Sequence, residues 1–360
     1  MVALRIAILV LTTVAAAALA ILVGRPGVPA DRTRAYVTFA LQGDLRPAES
    51  LFAGILRSQP TPAEADLAAR FHRRFIARDE EWADSLATPF GRGVMAAYRD
   101  YWTRSLMGEV PAEKGEAYLA AALRSVLIAH GLPSMGADDQ VIAEAAAEME
   151  RRGLHVLGGI TLPYFDLMIW ARSDTTRYEV ELTDTVQPVT VIFISDFLIK
   201  GWSHFATFGR AYTGGWAARD ALYCLREDYD LDSEKFLISY LKHESRHFAD
   251  YARFPALEQT DLEYRAKLTE LAYARTSLHD LIGNFAASGA PNPNAPHTLA
   301  NYAVVRDLSR HLLGAETQEA SRFRSRQAPA INAAARELLA AHTARLLAAG
   351  AETTRGVIRP

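Results

Sequence analysis

The spacing of apolar residues separates a helical first part of the chain from a second part that mixes strands and helices. From residue 34 to about residue 152, apolar residues recur every three or four positions, which is the period of an amphipathic helix. Prolines and glycines interrupt the pattern, as in "RSQPTPAEAD", and mark breaks between successive helices. The pattern predicts a helical region over residues 31–152.

Strand-like patterns begin after Gly153. "TRYEVELTD" alternates between apolar and polar residues, which indicates a strand with one exposed face. "PVTVIFISDF" is a continuous run rich in β-branched residues, which favours a more buried strand. "LPYFDLMIWA", "AYTGGWA" and "ALYCL" are further short strand candidates. We therefore expect a small mixed sheet in this part of the chain.

Helical spacing returns after the sheet. "DLDSEKFLISYLKHESRHFADYARF" predicts a helix that Asp232 or Ser233 caps and Pro255 ends. "TDLEYRAKLTELAYARTSLHDLIG" predicts a second helix, and the chain after the loop "NFAASGAPNPNAPH" is helical as far as Gly350. The predicted fold class is helix-rich α+β, with a small mixed sheet flanked by helical N- and C-terminal regions.

The first thirty residues form a separate segment. Residues 6–23 are almost wholly apolar and follow Arg5, which predicts a secretory signal peptide or a signal anchor. The apolar run is just long enough to span a bilayer, so cleavage and retention both stay open. We expect an exported protein that is periplasmic, or that residues 6–23 anchor in the inner membrane with its folded part facing the periplasm.

Composition argues against a nucleic-acid partner and rules out an internal disulfide. The 360 residues are 50% apolar and 22% charged, which suffices for a large core. A formal net charge of -3, without blocks of lysine or arginine, argues against a nucleic-acid partner. Cys224 is the single cysteine, so the chain has no internal disulfide.

The stretch "KHESRHFADY" carries the clearest chemical signal. His243 and His247 lie four residues apart, so on a helix their rings leave the same face and can bind one Zn²⁺. Glu244 points away from the metal's inner shell and can take a proton from a metal-activated water. The alternative is a solvated helix face that happens to carry two histidines.

"HESRH" on a helix, after a short sheet and before a helix that bears glutamates, resembles the zincin metallopeptidases. The glycine and third histidine of the metzincin pattern are absent from "HESRHFADYARF". The resemblance is therefore to the gluzincin-like branch, whose third ligand is a glutamate on the following helix. It covers about residues 205–285 and implies a zincin-like catalytic domain that binds Zn²⁺ and hydrolyses a peptide or protein substrate.

The resemblance implies that the third ligand comes from "LEYRAKLTEL". Glu263 is the first choice, because it follows His247 by sixteen residues and begins an E-x-x-A sequence. Glu270 is a rival, because it lies seven residues further on nearly the same helix face. Glu258 and Asp261 also stay open as ligands. A purely structural interpretation exists as well, since "TDLE" has the form of a capping box.

Further roles that the resemblance implies are harder to place. The aspartate that orients a ligand histidine in one such family is replaced here by Lys267. Asp250 is a substitute for it, or instead forms a surface salt bridge with Arg246 or Arg253. The donor to the oxyanion is His297 or Tyr302, unless His297 only marks the start of a helix.

Zincins also hold the substrate backbone against a sheet edge. "YTGGWA", which begins at Tyr212, is the candidate edge, because its glycines allow close backbone approach. The alternative is a tight turn beside a buried Trp216.

These observations lead to one functional hypothesis and its rivals. The first is an exported zinc metallopeptidase in which His243, His247 and Glu263 hold Zn²⁺ and Glu244 is the catalytic base. The second is a non-enzymatic envelope protein with a structural or vestigial metal site and a helical partner-binding region. Metal-dependent hydrolysis of a non-peptide substrate also stays open, as do the cleavage preference and the oligomeric state.

The hypothesis divides the chain into four parts. They are a signal peptide or anchor over 1–30, a helical region over 31–152, a zincin-like metal-binding domain over 153–285 and a C-terminal helical region over 286–360.

Overall fold

The computed structural model describes residues 30–82, 88–132, 134–212, 214–217, 221–293 and 295–360. Residues 1–29 of the segment predicted as a signal peptide or anchor lie outside these ranges. Among the described residues, no helix combines the length and the apolar character needed to cross a membrane.

Helices dominate the described chain, and the strands fall where the apolar pattern predicts them, except for the first strand, His155–Thr161, which was not predicted. The helices are α1 Ala30–Leu41, α2 Arg46–Arg57, α3 Pro62–Phe71, α4 Pro89–Leu106, α5 Gly115–Ala129, α6 Asp138–Arg151, α7 Gly201–Ala206, α8 Glu234–Phe236, α9 His243–Arg253, α10 Gln259–Tyr273, α11 Leu278–Ser288, α12 Pro296–Leu313 and α13 Ala328–Ala348. The strands are β1 His155–Thr161, β2 Tyr164–Glu181, β3 Val186–Lys200, β4 Gly215–Ala217 and β5 Leu222–Leu225. The prediction of a helix-rich α+β fold is confirmed.

The chain forms two compact units. The first contains the chain up to Ser173 together with Ile194–Gly214, and the second contains Asp174–Phe193 and Gly215–Pro360. The long strands β2 and β3 each contribute one part to each unit. The predicted four-part division, which concerns function as much as packing, stays a prediction.

The first unit packs its helices around an aromatic core. Trp102 on α4 is fully buried, and its indole nitrogen donates a hydrogen bond of 2.8 Å to the Phe165 carbonyl. The buried Tyr36 hydroxyl donates one of 2.6 Å to the Ala206 carbonyl. Such bonds satisfy the polar ends of large buried rings. In the same unit β1 pairs antiparallel with the beginning of β2.

The second unit combines a small sheet with the helices that carry the histidine motif. In it β2 and β3 are joined by the turn 182–185, and β5 lies between β3 and β4, so that β4 is the edge. The alternation predicted for "TRYEVELTD" is present, since Val180 is buried while Glu179 and Glu181 are exposed. The sheet packs its apolar face against Phe236 and Tyr240.

The long helix predicted over residues 260–283 is in fact two helices. Helix α10 ends at Tyr273, and α11 starts at Leu278. Between them Ala274 has an extended backbone, and the amides of the following residues donate hydrogen bonds to the carboxylate of Glu234, with distances of 2.9–3.2 Å. The prediction was wrong because the helical pattern continues across this break, whereas the acceptor that stabilises the break lies about forty residues earlier.

The Glu234 carboxylate has a strongly shifted pKa. Burial raises this pKa, but hydrogen bonds from Ser277 and Thr276 outweigh burial and lower it to about 2. A carboxyl whose pKa is depressed on folding contributes stability that is present above its ordinary pKa, near 4.5, and is lost as the pH falls toward 2.

We expect Glu234→Gln to lower the free energy of unfolding at pH 7 by about 1 kcal/mol, a value typical of a lost helix cap in a partly solvated position. The difference from the wild type should shrink between pH 4.5 and pH 2. Urea denaturation followed by circular dichroism measures it, with the exposed Glu352→Gln as control. A difference that is the same at pH 7 and pH 3 would contradict this role.

Candidate metal centre

The histidine motif lies on a continuous helical segment with an unusual turn. Ser233 caps its start, as predicted, because its hydroxyl accepts a hydrogen bond from the Phe236 amide. Residues Leu237–Lys242 then form a π-helical turn directly before His243 and α9. Turns of this type are frequent at functional sites, because the extra residue changes the direction of the side chains that follow.

The structure brings the three predicted ligands together. The side chains of His243, His247 and Glu263 are buried, and one donor atom from each lies within 4.8 Å of the others. Nε2 of His247 is 3.2 Å from Oε1 of Glu263, and Nε2 of His243 is 3.7 Å from Oε2. Helix α9 therefore provides two nitrogen donors and α10 one carboxylate.

Glu270, the rival third ligand, contacts the far side of the His243 ring and is not part of the ligand group. Its Oε1 lies 2.7 Å from Nδ1 of His243. A hydrogen bond from Nδ1 to this carboxylate fixes the ring, and once the ring is neutral it leaves the lone pair on Nε2, which faces Glu263. Carboxylates commonly orient metal-binding histidines in this way.

Glu258 and Asp261, which the sequence left open as ligands, lie outside the ligand group. The side chain of Glu258 is exposed and pairs with Arg355. Asp261 accepts hydrogen bonds from the Val357 amide and from His342. The capping-box interpretation of "TDLE" was also wrong, since α10 begins at Gln259 and Glu263 turns into the site.

Two further cationic or polar side chains contact Glu263. Nζ of Lys267 is 3.0 Å from its Oε2, and Nδ1 of His297 is 2.9 Å from the same oxygen. Lys267 is buried and lies one helical turn after Glu263. The sequence contains a signal for this ion pair, because an acid and a base four residues apart are neighbours on a helix. From the sequence, however, Lys267 was noted only as the replacement of an expected aspartate.

The electrostatics of the group favour an ionised Glu263. Burial raises the pKa of this carboxyl, but Lys267 and the three histidines hold it well below its usual range. Burial likewise lowers the pKa of His243, yet hydrogen bonds to Glu263 and Glu270 raise it to about 10. Because a bound metal requires the neutral ring, metal binding must release this proton.

Glu244 lies beside the ligands without joining them. Its side chain is half-buried, and no described residue forms a hydrogen bond with its carboxylate. Burial raises the pKa of the Tyr251 hydroxyl, and the negative charges of Glu244 and Glu263 raise it further. The ring of Tyr251 lies 6.4 Å from that of His247. Glu244 is therefore adjacent in sequence to the ligand His243 and close enough to Tyr251 for their charges to interact.

Two expectations about neighbouring residues are corrected. Asp250 does not orient a ligand histidine, because its oxygens lie 2.6 Å from Arg246 and 2.8 Å from Arg265. The predicted salt bridge of Asp250 with Arg246 is present but fully buried rather than on the surface. The Tyr302 hydroxyl donates a hydrogen bond to Glu316 on the surface, so His297 is the remaining candidate oxyanion donor.

The donor set fits a divalent metal ion. Two imidazole nitrogens and an ionised carboxylate converge from two helices, and one of the histidines has its tautomer fixed by Glu270. Nδ1 of His247 is buried and has no hydrogen-bond partner among the described residues. An unsatisfied buried polar atom costs about 1–3 kcal/mol, and such costs are typical of functional sites.

No family model, no curated protein and no solved structure matches this chain. The assignment of the site therefore rests on its residues and their geometry.

We expect Glu263→Ala to abolish tight zinc binding, because it removes a donor atom. Glu270→Ala should weaken binding by about 10–100-fold, since it removes only the partner of His243. Titration of the purified protein against a competing chelator measures both, with Glu258→Ala as the matched control. A larger loss in Glu270→Ala than in Glu263→Ala would exchange the two roles.

Replacing Lys267 should have the opposite effect. We expect Lys267→Met to increase zinc affinity at least about tenfold, because the ammonium group repels a cation and occupies an oxygen of Glu263. The same chelator titration measures it, with Lys235→Met as the control for loss of one positive charge. Unchanged or weaker binding would show that Lys267 does not compete with the metal.

Proposed function

We propose that this chain is an exported zinc-dependent metallopeptidase. The observation that carries the proposal is the convergence of His243, His247 and Glu263, with Glu244 beside them and no hydrogen bond from a described residue to its carboxylate. Three protein ligands from two helices form the donor set typical of catalytic zinc, which keeps a further position for water or substrate. The resemblance to gluzincin-like peptidases through "HESRH" agrees with this donor set.

Each residue has a separate role in the proposed reaction. Zinc in this site supplies Lewis acidity, which polarises a carbonyl group and makes water more acidic. Glu244 takes a proton from the attacking water and later gives it to the leaving amine. Glu270 keeps the His243 ring oriented throughout, since its oxygen is 2.7 Å from Nδ1.

His297 is the proposed donor to the developing oxyanion. It lies at the start of α12, its Nδ1 is 2.9 Å from Glu263, and its side chain is partly exposed. A ring that borders the ligand group and also reaches solvent can contact a bound substrate. Donors placed where negative charge develops contribute strongly to such reactions.

The edge strand β4 is the proposed support for the substrate backbone. It is the edge of the second unit's sheet. A side chain at Gly215 would come within 2.6 Å of the Tyr240 ring, and Tyr240 precedes His243 by three residues. The strand therefore runs close beside the helical segment that carries the motif. An extended peptide added to this edge would gain backbone hydrogen bonds.

Location enters the proposal through the sequence alone. The apolar residues 6–23 support export, with the folded part in the periplasm, either free or anchored in the inner membrane. Peptide or protein substrates are the proposed partners.

One observation favours a non-enzymatic alternative. The buried ion pair of Lys267 with Glu263 gives the carboxylate a partner within the protein. In a vestigial site, this pair would take the place of a metal and join α9 to α10 through His247 and Glu263. The two functions differ in zinc content and in hydrolysis, so one set of measurements separates them.

The decisive variant is Glu244→Gln, which keeps the shape of the side chain but removes its basicity. We expect a folded protein that binds close to one equivalent of zinc by elemental analysis and loses at least about a hundredfold in peptide hydrolysis, the typical contribution of a positioned base. A mixed peptide library read by mass spectrometry measures cleavage. Glu258→Gln on an exposed position is the matched control.

Two outcomes would count against the proposal. Undiminished cleavage by zinc-loaded Glu244→Gln would remove this residue from the mechanism. A zinc-loaded wild-type protein that cleaves nothing in the library would favour the non-enzymatic alternative.

A further inference from the structure

Helix α9 leaves one stripe of its surface open to solvent beside the ligand histidines. The side chains of Glu244 and Phe248 are half-buried, and that of Tyr251 is exposed. These residues follow one another by four and three positions, so they lie on one face of the helix. The other residues of α9 as far as Asp250 are buried. The open stripe therefore presents one carboxylate and two aromatic rings.

Tyr251 lies between the ligand histidines and Glu244 when the helix is viewed along its axis. At about 100° per residue, Tyr251 is about 40° around the helix from His247 and about 20° from Glu244. Its ring centre is 6.4 Å from that of His247. Burial raises the pKa of its hydroxyl, and the charges of Glu244 and Glu263 raise it further. The ring therefore borders both the ligand group and the proposed base.

The two rings form an apolar surface next to the ligand group. Tyr251 is 47% exposed although it follows the buried His247 by one helical turn. Phe248 packs partly against the apolar cluster of the sheet, which includes Leu222 of β5. Strand β5 pairs with the edge strand β4. The apolar surface thus extends from His247 toward the sheet whose edge is the proposed support for a substrate.

The position of Tyr251 along α9 determines which part of a substrate it can meet. Four residues separate it from His247, which is about 6 Å along the axis at about 1.5 Å per residue. An extended peptide advances about 3.4 Å per residue. A peptide with its scissile bond at the ligand group therefore brings to Tyr251 a side chain that is one or two residues from that bond.

We propose that Tyr251 and Phe248 form a subsite for a large apolar side chain, aromatic or long aliphatic, close to the scissile bond. The inference rests on the proposed peptidase function and names the class of its substrates. Aromatic rings provide a large apolar contact area, and removing such a side chain from water is favourable. The ammonium of Lys267, 3.0 Å from Glu263, offsets the local negative charge and so favours an uncharged side chain over a basic one.

Two sets of compounds test the subsite in the zinc-loaded full-length protein. The first is the mixed peptide library, followed by synthetic peptides that differ only in one residue near the cleaved bond. We expect kcat/KM to be at least about tenfold higher for phenylalanine or leucine at that residue than for glycine, a typical discrimination by an apolar pocket.

The second set measures binding without hydrolysis. It consists of the acetylated hydroxamates of phenylalanine, lysine and glycine, which share a metal-binding group and differ in their side chains. Isothermal titration calorimetry gives their affinities. We expect the phenylalanine compound to bind at least about tenfold more tightly than the glycine compound, and more tightly than the lysine compound.

Variants locate the preference. Tyr251→Ala should reduce both preferences to within about threefold, whereas Tyr251→Phe, which keeps the ring, should retain them. Leu347→Ala is the matched control, since Leu347 is also 47% exposed but lies on α13, outside the ligand group. Elemental analysis and thermal unfolding check that each variant is zinc-loaded and folded.

The outcomes separate this inference from the proposed function. Cleavage without a side-chain preference, a preference for lysine, or a preference that persists in Tyr251→Ala would overturn the inference and leave the peptidase standing. Selective binding of the phenylalanine hydroxamate that depends on Tyr251, without cleavage of any peptide, would support the subsite and contradict the peptidase. A protein that takes up no zinc would overturn both.

Discussion

The second unit is organised by the need to compensate charges that a buried helix carries. Helix α10 is buried along nearly its whole length, and five of its buried residues are charged: Asp261, Glu263, Arg265, Lys267 and Glu270. An unpaired charge in such surroundings costs several kcal/mol. Each of these residues therefore requires a partner, and the partners determine which segments pack around the helix.

The charges fall on two opposite faces of α10, with different consequences. Asp261 and Arg265 lie about 200° around the helix from Glu263, at 100° per residue. Asp261 binds His342 and the backbone of the C-terminal segment, while Arg265 binds Asp250. These contacts attach α13 and α9 to the helix. The opposite face, which carries Glu263, meets the histidines of α9. One face of α10 therefore contributes to packing, and the other contributes to the candidate metal centre.

Local spacing was enough to predict part of the site. His243, His247 and Glu244 form a motif within one helix, and Glu263 follows from the length of the connection and from the resemblance. The partners of these residues were not predictable in the same way. Glu270 reaches His243 across 27 residues, and Asp250 pairs with Arg265 across 15. Which carboxylate pairs with which cation depends on how two helices pack against each other. The periodicity of apolar residues carries no information about this packing.

The fold shows the same division between local and long-range information. Most helices and strands fall where apolar spacing places them, because spacing records which face is buried. The end of α10 was missed, since the acceptor for the amides after Ala274 is Glu234, in another segment.

The charge balance of the candidate metal centre points to a second role for Glu244, in addition to that of the proposed base. The carboxylates of Glu263 and Glu270 are balanced by the ammonium of Lys267 and by a protonated His243. A divalent cation that replaces the His243 proton leaves one excess positive charge in this group. In the proposed metal-bound state, the carboxylate of the half-buried Glu244 would offset that excess. If the site holds a metal, as proposed, Glu244 would thus complete the charge balance of the group.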